Sequence, residues 1–153
     1  MPTVELNLER TIVLVPCHRG VEFECMNSLR ELERKGVNVS FTSGISDIYM
    51  SRCSMATRCL AQGYENLFWV DSDIAFNPND FVKLVSSDEP LICGTYMKKG
   101  VPQLTFHPLE EDKPDHRNWD FGEGQPVREI ALAGMGFVKT HRSVFEDIRK
   151  HFD

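Results

Sequence analysis

Tyr64-Glu-Asn-Leu-Phe-Trp-Val-Asp-Ser-Asp-Ile-Ala-Phe-Asn-Pro-Asn-Asp80 sends two aspartates straight off the end of a short apolar run. Residues 67–70 are aromatic and β-branched, the composition of a strand covered on both faces, although periodicity alone leaves a buried helix open. Asn77-Pro-Asn-Asp80 reads as a turn into a helix, since Pro and Asp favour the first turn. Asp71 and Asp73 therefore fall at the carboxyl end of a strand, where open α/β sheets bind ligands. Two carboxylates two residues apart on extended backbone point to the same side. Both are candidates to hold one hard divalent cation.

Upstream, Thr11-Ile-Val-Leu-Val-Pro16 is a continuous β-branched run ended by proline, the pattern of a central strand. After the loop Cys17-His-Arg-Gly20, apolar residues Val21, Cys25, Leu29 and Leu32 recur at helical spacing until Arg34-Lys-Gly36, a basic last turn with a glycine stop. Val37-Asn-Val-Ser-Phe41 alternates as a second strand. Ser46 is the expected N-cap of a helix running to about Gln62, with Gly63 as its stop. On that helix Arg52 falls between Ile48, Met55 and Cys59, inside the apolar stripe. A charge there needs an anionic partner or a route to solvent.

Downstream, a helix over about 79–86 and an apolar strand over 90–96 extend the alternation of strands and helices. That alternation predicts an α/β fold with a mostly parallel sheet. Residues 97–125 break it with prolines, glycines and charges, an irregular excursion containing a short strand near 104–106. A strand is expected over 127–132. Ala133-Gly-Met-Gly-Phe-Val138 follows, where the glycines permit close backbone approach, positive φ, or a bend or bulge between strands. Residues 143–151 read as an amphipathic helix with Val144, Phe145 and Ile148 inward.

A chain of 153 residues suits a single domain. Its net charge of −6 argues against a phosphate backbone as partner, so nucleic acid is not expected. The five cysteines lack a C-x-x-C pair and read as free thiols in a reducing compartment. No apolar run approaches the roughly 20 residues of a membrane span, and the N-terminus lacks a signal-peptide pattern, so a cytoplasmic location is expected. Ala75 and Phe76 stand where an EF-hand loop needs an oxygen ligand and a glycine. Gly134-x-Gly136 lacks the third glycine of a dinucleotide fingerprint, and no P-loop or Gly-x-Ser-x-Gly is present. Cys17 and His18, adjacent on a strand end, point apart and make a poor nucleophile and base.

Four segments in order, 15–20, 43–52, 66–74 and 133–138, together resemble the nucleotide-sugar-binding half of a GT-A type glycosyltransferase. This is the metal-dependent class whose signature is Asp-x-Asp at a strand end, and the resemblance runs over nearly the whole chain from Thr11. It implies a Rossmann-like, mostly parallel sheet flanked by helices, the GT-A nucleotide-diphospho-sugar transferase fold, here in a C-terminally minimal form. It further implies that Pro16, Arg19 and the turn from Gly44 to Asp47 hold the nucleoside, with Ser72 in the same nucleotide-sugar site. Arg52 would contact the diphosphate or the signature acid. Asp71 would lie near the ribose or the metal, and Asp73 would ligate Mn²⁺ or Mg²⁺ directly. Gly134, Met135 and Gly136 would line the donor sugar and acceptor side.

The implied activity is transfer of a hexose from a UDP- or GDP-linked sugar to a carbohydrate or similar acceptor. The class usually continues past the glycine segment with an acidic residue and a metal-binding histidine, whereas this sequence ends at Asp153. Glu146, Asp147 and His151 sit on the expected last helix and have no claim to those roles, so no catalytic base is assigned. The alternative expectation is a domain that binds nucleotide sugar and metal without turnover. The class also tends to follow its arginine with asparagine, where this chain has Cys53.

Overall fold

The computed structural model describes residues 8–101, 103–114, 118–121 and 124–152. Along the chain come β1 (Thr11–Pro16), α1 (Phe23–Arg34), β2 (Asn38–Thr42), α2 (Ile48–Ala61), β3 (Asn66–Val70), α3 (Pro78–Val85) and β4 (Leu91–Cys93). There follow β5 (Phe106–His107), β6 (Leu132–Ala133), β7 (Phe137–His141) and α4 (Arg142–Phe152). The chain divides into two compact units, one of residues 1–94 and 135–153 and the other of residues 95–134.

In the first unit the three apolar runs pair in parallel, β1 lying between β2 and β3. All six residues of β1 are buried, as a strand covered on both faces requires. β7 then enters antiparallel between β3 and β4, giving a five-stranded sheet of order β2-β1-β3-β7-β4. The fold is thus α/β with a mixed sheet whose β2, β1 and β3 are parallel. Helices α2 and α4 cover one face: Met55, Ala56 and Cys59 pack with Ile12, Leu14, Leu67, Trp69 and Val138, and Phe145 packs against that group. On the other face, Phe68 stacks edge-on against Phe81 of α3 and Phe137 of β7, with ring centroids 4.8 Å and 4.9 Å apart. The helix stops fall where expected, with Gly36 and Gly63 at φ of 85° and 89°.

Several expectations need correction. The N-cap of α2 is Asp47, not Ser46: its Oδ1 accepts from the N–H groups of Tyr49 (2.9 Å) and Met50 (3.1 Å). The strand expected over 127–132 is reduced to Leu132 and Ala133, because its partner β5 is only two residues long and offers no ladder beyond them. Val127 stays 67% exposed. Ile148, expected inward, is 53% exposed, so the inward face of α4 rests on the half-buried Val144 and Phe145. Strand β7 had no counterpart in the sequence reading beyond the apolar pair Phe137-Val138.

The second unit is built on the antiparallel pair β5 and β6. Phe106 is its buried centre, stacked parallel to Trp119 at 5.7 Å and edge-on to Phe121 at 5.5 Å, with the Arg128 guanidinium 4.9 Å from the Trp119 ring centre.

Candidate functional site

Strand direction places the site. β1, β2, β3 and β4 all end at one edge of the sheet, and antiparallel β7 begins there, with Phe137 opposite Val70. The segment after β3 is held at that edge by its own backbone. The Asp71 N–H donates to the Gly136 carbonyl (2.9 Å), the Glu22 N–H to the Ser72 carbonyl (2.8 Å), and the Cys25 thiol to the Asp71 carbonyl (3.6 Å). The Ile74 N–H returns to the Asp71 carbonyl at 3.1 Å, so residues 71–74 form a turn. This corrects one premise: Asp71 and Asp73 do not lie on extended backbone, and strand alternation does not decide where their carboxylates point.

Arg52 has found its anion. Its Nη2 donates to Asp71 Oδ1 at 2.7 Å, with the arginine side chain 23% exposed and the aspartate side chain 34%. Of the two expectations, an anionic partner or a route to solvent, the structure shows the anionic partner. The pair sits at the carboxyl edge of the sheet, and Met55 and Cys59 of the same stripe are fully buried. Arg52 Nε is buried with no acceptor. An unsatisfied buried N–H costs about 1–3 kcal/mol. Burial pushes the Asp71 carboxyl above its ordinary pKa, the Arg52 guanidinium pulls it back, and nearby Asp73 raises it further. Asp73 itself is exposed.

The remaining candidates of the first unit are distributed around this pair. Pro16 is buried at the end of β1, and the loop after it is stitched to β2 through Cys17 N–H to Thr42 carbonyl (3.1 Å) and Gly44 N–H to His18 carbonyl (3.2 Å). Arg19 and Asp47 are exposed on the two stitched loops, and Ser72 is half-buried between the aspartates. Met135 is 38% exposed, beside the buried Gly136 whose carbonyl holds Asp71. Gly134 belongs to the second unit, where its N–H donates to the Thr105 carbonyl at 2.8 Å. A Cβ on Gly134 would lie 2.5 Å from the Tyr96 hydroxyl, so close approach explains this glycine. Among the described residues neither Gly134 nor Gly136 has positive φ.

Two open cavities, of about 480 Å³ and 390 Å³, lie at the opposite edge of the sheet. The larger is lined by Glu9, Arg10, Gln62, Gly63 and Tyr64, a set with no group poised for chemistry. The smaller contains Lys139, His141 and Ser143. Those groups are already spent on the fold: Lys139 Nζ donates to the Ser87 carbonyl (2.5 Å), and His141 Nδ1 caps α4 by accepting from the Ser143 N–H (3.2 Å). The Arg52–Asp71 edge, where a part-buried ion pair meets the Asp-x-Asp turn, is the better candidate. No group of three or more His, Cys, Asp or Glu able to hold a metal occurs among the described residues. Asp71 and Asp73 supply two hard oxygen donors, which suits a cation that takes its other ligands from a phosphate and water.

No family model matches this chain, and no curated protein matches it. The arrangement of its strands and helices does have a counterpart among solved structures. In fold the chain is similar to A197 from STIV. The match has a TM-score of 0.62 and covers 90% of this chain and 67% of A197, at 16% sequence identity. At that identity the likeness to A197 establishes the α/β architecture. No helix among the described residues is long and apolar enough to cross a membrane.

Proposed function

We propose that the first unit binds a nucleoside diphosphate sugar with a divalent metal ion and transfers its hexose to a carbohydrate or similar acceptor, in the manner of a GT-A type glycosyltransferase. The observation that carries this reading is the Arg52–Asp71 pair at the carboxyl edge of the sheet, a part-buried guanidinium beside the Asp-x-Asp turn. The exposed part of the guanidinium would meet a diphosphate oxygen. Asp71 and Asp73 would hold the cation, Mn²⁺ or Mg²⁺, whose part when bound is to offset charge on the departing nucleoside diphosphate. Arg52 adds a second positive charge fixed by α2, in a partly desolvated position where it interacts more strongly than in water. The loops after β1 and β2, bearing Pro16, Arg19 and Asp47, would take the nucleoside.

A second reading, binding without turnover, is favoured by the course of β7. His141 pairs opposite Asn66, so α4 and its Glu146, Asp147 and His151 depart from the edge opposite Asp71. They leave the base of a transfer reaction unassigned. Release of UDP or GDP from a panel of their sugars, with Mn²⁺ and simple saccharide acceptors, separates the two. Transfer predicts release that is lost in Asp73→Ala, whereas a binding module retains the intact donor. Failure of the protein to bind any donor would overturn both.

A further inference from the structure

Arg52 and a metal ion would compete for the same carboxylate. Arg52 Nη2 already occupies Asp71 Oδ1 at 2.7 Å, and a cation arriving at this carboxylate meets a positive charge in the place it would take. A cation that displaced the arginine would leave Nη2, as well as Nε, without its acceptor in a part-buried position. A diphosphate arriving alone faces the opposite difficulty, with two aspartates at the turn. When both arrive, the exchange leaves no charge stranded: the guanidinium turns to phosphate oxygens and Asp71 is released to the cation.

Resting on the donor-site reading above, we propose that Arg52 is a resident counter-ion that guards Asp71 against metal alone and yields it when a diphosphate binds, making cation and diphosphate bind cooperatively. The described residues offer no third carboxylate, histidine or cysteine that would let a metal win the contest unaided. Reciprocity then requires that metal strengthen diphosphate binding by the same factor as diphosphate strengthens metal binding.

The test is a titration of Mn²⁺ alone, followed by the electron paramagnetic resonance signal of the free ion, on the full chain and Arg52→Met. The variant is expected to bind Mn²⁺ at least about fivefold more tightly than the parent, the lower end of typical couplings. Arg58→Met, which removes the same charge further along α2 where Arg58 donates to Ser40 Oγ, is expected to leave Mn²⁺ binding unchanged. Arg52→Gln is read in the same way should the methionine variant fail to give a cooperative melt. With UDP, GDP or inorganic pyrophosphate present, and metal chelation by these anions subtracted, the parent gains Mn²⁺ affinity and Arg52→Met gains less. Mn²⁺ binding no tighter in the Arg52 variants than in the parent overturns the guard even if nucleotides bind. Absence of nucleotide binding in every protein overturns the donor-site reading instead, so the two failures are told apart.

Discussion

Asp71 keeps its charge at a cost to stability, because burial raises its pKa from an ordinary 3.8 more than Arg52 lowers it. A carboxyl whose pKa is higher in the folded chain binds its proton more tightly there than in the unfolded chain. Its stabilising contribution is present in full below the ordinary value and is lost as pH rises through the raised one. Asp71→Asn has no such step. In urea unfolding at a series of pH values, the stability of the parent relative to Asp71→Asn should fall as pH rises from the ordinary carboxylate range toward neutrality; a flat difference would contradict the burial argument. Thr140 carries a simpler cost: its hydroxyl is buried without a hydrogen-bond partner. Thr140→Val keeps the β-branched shape and removes the orphan group, so it should raise stability by about 1 kcal/mol in denaturant unfolding. Arg52 was legible at this scale, since a charge inside an apolar stripe signals a partner, and the family resemblance offered two, the diphosphate or the signature acid. The orphan Thr140 hydroxyl was not, because which hydroxyls go unpaired depends on the chains packed around them.

Elements were legible where a run was uniform and misread where one residue interrupted it. β1 and β3 are continuous apolar runs, and they fall within a residue of expectation. β7 reads Phe-Val-Lys-Thr-His, and Lys139 in its middle looks like a surface residue. It is 3% exposed, its stem lying in the sheet and its ammonium reaching the Ser87 carbonyl, with burial lowering its pKa. No periodicity rule finds a central strand with a lysine at its centre. The cap of α2 is a finer miss: Ser46 and Asp47 are both good caps, and only the geometry of the turn chooses between them. Asp47→Ala should therefore destabilise by about 1 kcal/mol while Ser46→Ala changes little; equal effects in thermal melts would contradict the assignment. A parallel contrast tests the helix faces. Phe81, the one fully buried side chain of α3, should cost about 3–5 kcal/mol as Phe81→Ala, whereas Ile148→Ser on the exposed face of α4 should stay within about 0.5 kcal/mol.

Across the whole molecule, the alternation of strands and helices sufficed for an α/β class and for a parallel core, because each run buried on both faces demands a helix on either side. The antiparallel entry of β7 escaped the sequence reading, since it follows the long excursion over 95–134 and nothing in a local pattern states the direction in which a chain returns. That return shapes the candidate site: it brings Gly136 to the backbone of Asp71 and carries α4 away to the opposite edge. What was legible of the candidate site was that Arg52 needs an anionic partner near the end of β3; what was not was that Asp71 and Asp73 share a turn. The central claim is that this turn and Arg52 receive a diphosphate with a divalent metal. Titration calorimetry of UDP, GDP and their sugars, with and without Mn²⁺, on the parent chain and Asp73→Ala tests it most directly. Binding that needs Mn²⁺ and disappears in Asp73→Ala is the predicted result; no binding of any nucleotide, or binding indifferent to both metal and Asp73, would contradict it.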